Sequence, residues 1–137
     1  MDDITHKLIQ SMVSAKRRLE SQKFGDFIIQ ANTIQFYLSN LVLLRSSYPD
    51  KEYIEKIESG TLGQIINLFC ACAKRETGEI MLIPKLRKHN KIRNKFAHKI
   101  HTPSILKKDE LQNAVLLGNE ILKSLILITN QEVKNRK

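Results

Sequence analysis

Glycine and proline are scarce in this 137-residue chain, at 5 and 3, which argues against a turn-rich all-β fold and for long helices. No stretch alternates apolar and polar residues as a half-buried strand does, and no repeat or low-complexity segment interrupts the pattern. Cysteine is limited to Cys70 and Cys72, with no further ligand near them in sequence for a metal. Two positions apart on a helix, they point to different sides, which argues against a local disulfide and for reduced thiols in a cytosolic protein. No secretory leader is expected either, because Met1-Asp2-Asp3 is acidic and no apolar run follows. The most apolar segment, Ile121 to Ile128, is short and broken by Lys123 and Ser124, so no membrane span and a cytoplasmic location are expected.

What is present is a single domain's length of chain, 42% apolar and strongly basic. The net charge of +9 attracts polyanions and speeds encounter with them without saying which one. Helical periodicity is continuous. Ile4, Leu8, Met12 (or Ser11), Ala15 and Leu19 form one stripe, with Gly25 marking a break. Phe27, Ala31, Ile34, Leu38, Leu41 and Arg45 form the next, over about 26–45. A short helix carrying Tyr53, Ile54 and Ile57 follows Pro49. Thr61-Leu62-Gly63-Gln64 reads as a capping box, opening a helix that turns Leu62, Ile65, Ile66, Phe69 and Cys70 inward and stops near Thr77-Gly78. Pro84 fits only a first helical turn, which places the next helix firmly over about 83–99. The last, about 107–134, carries two parallel stripes, with Gly118 admitting a close neighbour. The expected fold is all-α, a bundle of four long helices plus one short helix.

One stretch departs from core-forming pattern. On a helix, Leu82, Leu86, Phe96 and Ile100 share a side, and Arg93 falls among them. Asn90, Asn94, Ala97 and His101 adjoin it, with His98 at the margin. Lys88, Lys91, Lys95 and Lys99 stack opposite. The segment Ile92-Arg93-Asn94-Lys95-Phe96-Ala97-His98 resembles the signature of the HEPN superfamily, in the form Arg-Asn-x-x-Ala-His. The Gly60 to Ile66 segment is similar to bacterial members as well.

The resemblance implies a homodimeric, metal-independent endoribonuclease of toxin–antitoxin, abortive-infection (phage defence) or RNA-processing type. It needs no cofactor, and an antitoxin or regulatory protein is an expected partner. The implied catalytic residues are Arg93, Asn94 and His98, at a composite site where the motif helices of two subunits face each other. Asn90, Lys91, Lys95, Lys99 and His101 are the expected RNA contacts. The residue types suit the chemistry. His98, with an ordinary pKa of about 6.5, can take or give a proton near neutrality. Arg93 stays charged and can fork onto two phosphate oxygens, and Asn94 can orient the imidazole or the phosphate. A His98 from each subunit would activate the 2′-OH and protonate the 5′-oxygen, leaving a 2′,3′-cyclic phosphate and a 5′-OH. Within one chain, Arg93 and His98 stand about 140° apart on a regular helix, so convergence calls for the second subunit. Lys99 and Ile100 follow the His where toxins silenced by an adenylylating antitoxin carry a Tyr, so that switch is not expected.

Other readings remain open. The segment is also similar to proteins resembling the mannitol operon repressor, which implies a non-catalytic helical module that binds protein partners. Arg93 could pair with Glu20, Asp26 or Glu120 for structural reasons, and a His in a last helical turn favours the dipole whatever its function. Helix-turn-helix DNA binding fits less well, because no tight helix pair precedes the basic helix. His101 is placed in the loop, and His89 fits a helix-surface or an inward position equally.

Overall fold

The computed structural model describes residues 2–46, 50–75, 78–98 and 108–136, with side chains except at 16–23, 97–98 and 108–109. Among the described residues, five helices and no strand occur: α1 (Asp3–Arg45), α2 (Lys51–Glu58), α3 (Leu62–Cys72), α4 (Glu79–His98) and α5 (Lys108–Asn135). The all-α bundle of four longer helices and the short α2 is therefore present. Side-chain caps begin the first three. Asp2 accepts from the Thr5 amide at 2.6 Å, and Asp50 from the Tyr53 amide at 2.7 Å. The Thr61–Gln64 capping box closes in both directions, at 3.3 and 3.0 Å.

The apolar periodicity explains the packing. Phe27, Ala31, Ile34, Leu38 and Leu41 of α1 are fully buried, as are Leu62, Ile65, Ile66 and Phe69 of α3. On α5 the buried line Leu111, Ala114, Gly118, Ile121 and Leu125 runs between the two expected stripes. One core cluster gathers α1, α2, α3, α4 and α5 around Leu38, Ile57, Phe69, Leu86 and Ile121. A second joins Phe27, Phe96, Leu111 and Ala114.

Three boundaries differ from expectation. Helix α1 runs unbroken through Gly25 for 43 residues. Phe24 and Phe27 flank that glycine and both pack edge-on against Phe96, at 6.0 and 5.0 Å, so the helix is fixed by packing despite a glycine cost of about 1 kcal/mol. Helix α3 ends at Cys72, and α4 begins at Glu79 rather than near residue 83. Pro84 thus lies inside α4, where its missing N–H leaves the Ile80 carbonyl without a helical donor on an exposed face. Gly78, at φ 72°, makes the left-handed turn just before α4.

The early start of α4 has an electrostatic cause. Arg45, at the end of α1, donates to Glu79 through Nη1 at 2.5 Å and Nη2 at 3.0 Å. It also reaches Glu132 of α5 at 3.3 Å and the Cys72 carbonyl at 3.1 Å. The side chains of Arg45, Glu79 and Glu132 are 6%, 2% and 9% exposed, and Lys74 completes the cluster at 3.2 Å from Glu132. Hydrogen bonding to Glu79 raises Arg45 above its already high ordinary value, against the cost of burial. Burial alone would raise Glu132, but the Lys74 hydrogen bond and the Arg45 and Lys74 charges outweigh it and hold its pKa below 4.5.

A second polar device seats α1 on α5. Gln30 donates to the Val115 carbonyl at 2.9 Å and to Asn119 Oδ1 at 2.8 Å. Its amide lies where a Cβ on residue 118 would stand, so Gly118 admits a close neighbour as expected. Two segments, 24–45 and 110–135, are long and apolar enough to cross a membrane by length and composition; here Ile34, Leu38, Leu41, Ile121 and Leu125 meet in the core.

Arg45→Leu removes the buried cation from Glu79 and leaves Glu132 to Lys74, and is expected to cost roughly 3–5 kcal/mol, lowering Tm by roughly 10 °C or more. Because Glu132 is depressed in the folded state, its contribution is complete above pH 4.5 and lost as pH falls through that range. A thermal melt series from pH 7 to 3 on both proteins reads this. Gly118→Ala forces Gln30 to abandon both hydrogen bonds, for about 1–3 kcal/mol. In a Gln30→Ala background the same change should cost under about 1 kcal/mol, as a denaturation double-mutant cycle would show.

Candidate functional site

Helix α4 carries the motif, and its two ends are held differently. At the start, Glu79 is anchored on Arg45. Toward the end, Phe96 is buried between Phe24 and Phe27 of α1. Between these anchors the helix presents Asn90, Arg93 and Asn94 toward the side bounded by α1 and the first turn of α3.

Arg93 is half-buried, and its Nη1 donates to Gln35 Oε1 at 3.4 Å. The Gln35 amide in turn donates to the Gly60 carbonyl at 3.0 Å. One α1 side chain therefore positions the guanidinium and the turn that opens α3. Of the carboxylates considered for Arg93, Glu120 instead pairs with Lys85 at 3.5 Å. Asp26 is exposed, and the Glu20 side chain lies outside those described. Asn90 is half-buried against α3, so close that a Cβ on Gly63 would stand 3.3 Å from its Nδ2. Asn94 is exposed one turn further on.

The lysines divide. Lys88 and Lys91 are exposed, whereas Lys95 pairs with Glu110 of α5, both carboxylate oxygens at 3.2 Å. Lys95, expected as an RNA contact, thus has its charge partly neutralised by a neighbouring helix. Arg87 extends the basic face and turns toward Asn67 and Cys70 Sγ, each at 3.4 Å. His98 closes α4, but its side chain is outside those described, and Lys99 and His101 lie outside the described residues.

His89 is inside the fold, not on the helix surface. It is fully buried, its ring 5.1 Å from that of Phe27, and neither ring nitrogen has a hydrogen-bond partner. Burial, then the nearby Arg93 charge, push its pKa down to about 4. A neutral imidazole thus lies one helical turn beneath Arg93, a place the sequence pattern did not single out. Gln35 was equally hidden, since its 58-residue separation from Arg93 leaves no local signal.

Chemically, Lys88 and Lys91 stand on the opposite face of α4, while Arg93 offers a fixed cation with no carboxylate partner among the described residues, near the amides of Asn90 and Asn94. That set can bind a phosphodiester. Among the described residues, no three His, Cys, Asp or Glu side chains converge to hold a metal ion. Compared with protein-family models, curated proteins and solved structures, the chain matches none.

His89 supplies a pH dependence of known sign. Its pKa is depressed in the folded state, so between about pH 6.5 and 4 the unfolded chain takes up a proton that the native state refuses, and stability falls as pH falls. The loss approaches about 3 kcal/mol at the acid end. His89→Leu should flatten this slope in urea denaturation between pH 7 and 4 while leaving the Glu132 step below it. An unchanged slope would mean that the imidazole is not the group responsible.

Proposed function

We propose that the chain is a metal-independent endoribonuclease of the HEPN type, acting in the cytoplasm within a toxin, phage-defence or RNA-processing system. The observation that carries this reading is the placement of Arg93, half-buried on Gln35 and without a carboxylate partner among the described residues, with the exposed Asn94 next to it in the chain. An arginine kept only for stability is expected to sit on a carboxylate, as Arg45 does.

In this reading Arg93 forks onto the non-bridging oxygens of the scissile phosphate and stabilises the charge that builds in the phosphorane. Asn90 guides the flanking backbone on the Arg93 side, Lys88 and Lys91 on the opposite face of α4 add to the basic field that draws RNA in, and Lys99 and His101 are proposed as further contacts. His98 takes the proton from the 2′-OH. The matching residue of a second copy gives a proton to the departing 5′-oxygen, because one helix does not aim Arg93 and His98 at a common point. No metal or cofactor enters. An antitoxin or regulatory protein would act by covering Arg93.

A second reading rests on a separate observation. At the start of α4, Met81 and Leu127 are 77% and 64% exposed beside a groove of about 220 Å³ formed with Gly78, Leu82, Lys85, Ser124 and Ile128. A non-catalytic module resembling the mannitol operon repressor would use such an apolar face for a protein partner.

Incubation of the purified chain with total RNA in EDTA, beside a folded Arg93→Ala/His98→Ala variant, separates the two. Cleavage by the native chain alone, with a fall of about 1,000-fold or more in the variant and cyclic-phosphate ends, is the expected result. Inertness of both proteins across several RNAs would abandon the nuclease for the interaction module.

A further inference from the structure

From Asp2 to Ala15, α1 packs on nothing else in the described chain. Every residue from Asp2 to Ala15 is exposed, among them Ile4 at 73%, Leu8 at 60% and Met12 at 72%. The register is nevertheless that of a packing helix. Thr5, Leu8, Met12 and Ala15 recur at steps of three, four and three, a heptad seam that the sequence continues at Leu19. Ile9 flanks it. The charges along the same stretch are polarised on balance, with Asp2 and Asp3 against one lysine, Lys7, at one end and a Lys-Arg-Arg run at 16–18 against one carboxylate, Glu20, at the other.

We propose that this half-helix pairs antiparallel with the same half-helix of a second copy of the chain, each residue facing the one whose number brings the sum to about 20. Seam and charge agree on that register. Leu8 faces the second copy's Met12, and Thr5 its Ala15, in the mixed layers of an antiparallel coiled coil, while the two Ile9 residues meet beside the seam. The acidic end of each helix lies along the 16–18 run of the other. Parallel pairing would place acidic end on acidic end and basic run on basic run, so charge selects the antiparallel arrangement. The match is of the segment to itself, which is what identifies a second copy as the occupant.

This contact goes beyond the nuclease reading and is distinct from the pairing of motif helices. The crossing falls near Gln10, and Phe24, packed on Phe96 of α4, lies about 20 Å further along the axis at 1.5 Å per residue. The two motif ends are thereby kept about 40 Å apart. A chain using both contacts assembles beyond a dimer.

Cross-linking tests orientation directly. In a Cys70→Ser/Cys72→Ser background, one tagged chain carries Thr5→Cys and a differently tagged chain carries Ala15→Cys, and the mixture is mildly oxidised. The mixed disulfide should exceed the Thr5→Cys self-link by about tenfold. Light scattering on the chain with its native cysteines should show the mass halved by Leu8→Asp/Met12→Asp, with Tm unchanged because the bundle does not use these residues. A dominant Thr5→Cys self-link would overturn the orientation. Absence of any link, or association indifferent to Leu8→Asp/Met12→Asp, would overturn the pairing itself.

Discussion

Arg45 takes its charge into the protein at the point where four elements end or begin. It terminates α1, meets the carbonyl at the end of α3, fixes the first residue of α4 through Glu79 and reaches the end of α5 through Glu132. A buried cation is costly unless paired and hydrogen-bonded, and here each of its three nitrogens has a partner. The cluster therefore dictates where α4 can start. Apolar packing along Leu38, Phe69, Leu86 and Ile121 supplies adhesion, but adhesion alone lets helices slide along their axes. Ion pairs of fixed geometry do not.

The axial position of α4 matters because every candidate site residue among those described hangs from it. With Glu79 anchored at one end and Phe96 enclosed at the other, Arg93 falls opposite Gln35, and Asn90 falls against Gly63. The site is thus built on three helices, only one of which bears the motif. His89 shows the cost of that arrangement. An imidazole with both nitrogens unpaired under a guanidinium is unfavourable, and the fold tolerates it where the motif helix turns its polar side toward α1.

Much of the fold is legible in the sequence because it rests on local periodicity. The α1 seam from Phe27 to Leu41, the α3 seam and the capping box at Thr61 all follow from residues within one or two turns of each other. The misread boundaries share a cause. Gly25 and Pro84 are local signals for interruption, and tertiary partners overrule both: Phe96 on either side of Gly25, Arg45 through Glu79 before Pro84. The site divides along the same line. Arg93 and Asn94 are recognisable from spacing on one helix, while Gln35, Gly60 and the burial of His89 depend on contacts across the bundle. Lys95 belongs to both groups, placed rightly on its helix but paired by Glu110 from another.

The continuity of α1 through Gly25 also gives the molecule a lever. Before the point where Phe24 and Phe27 grip Phe96 of the motif helix, α1 continues for some 21 residues, about 30 Å of helix. A Cβ on Gly25 would meet nothing within 4 Å, so the hold on the helix at this point comes from the flanking Phe24 and Phe27. A tilt of about 10° at that point would sweep the tip through about 5 Å, and a load on the distant seam reaches the aromatic clamp on Phe96 through the continuous helix.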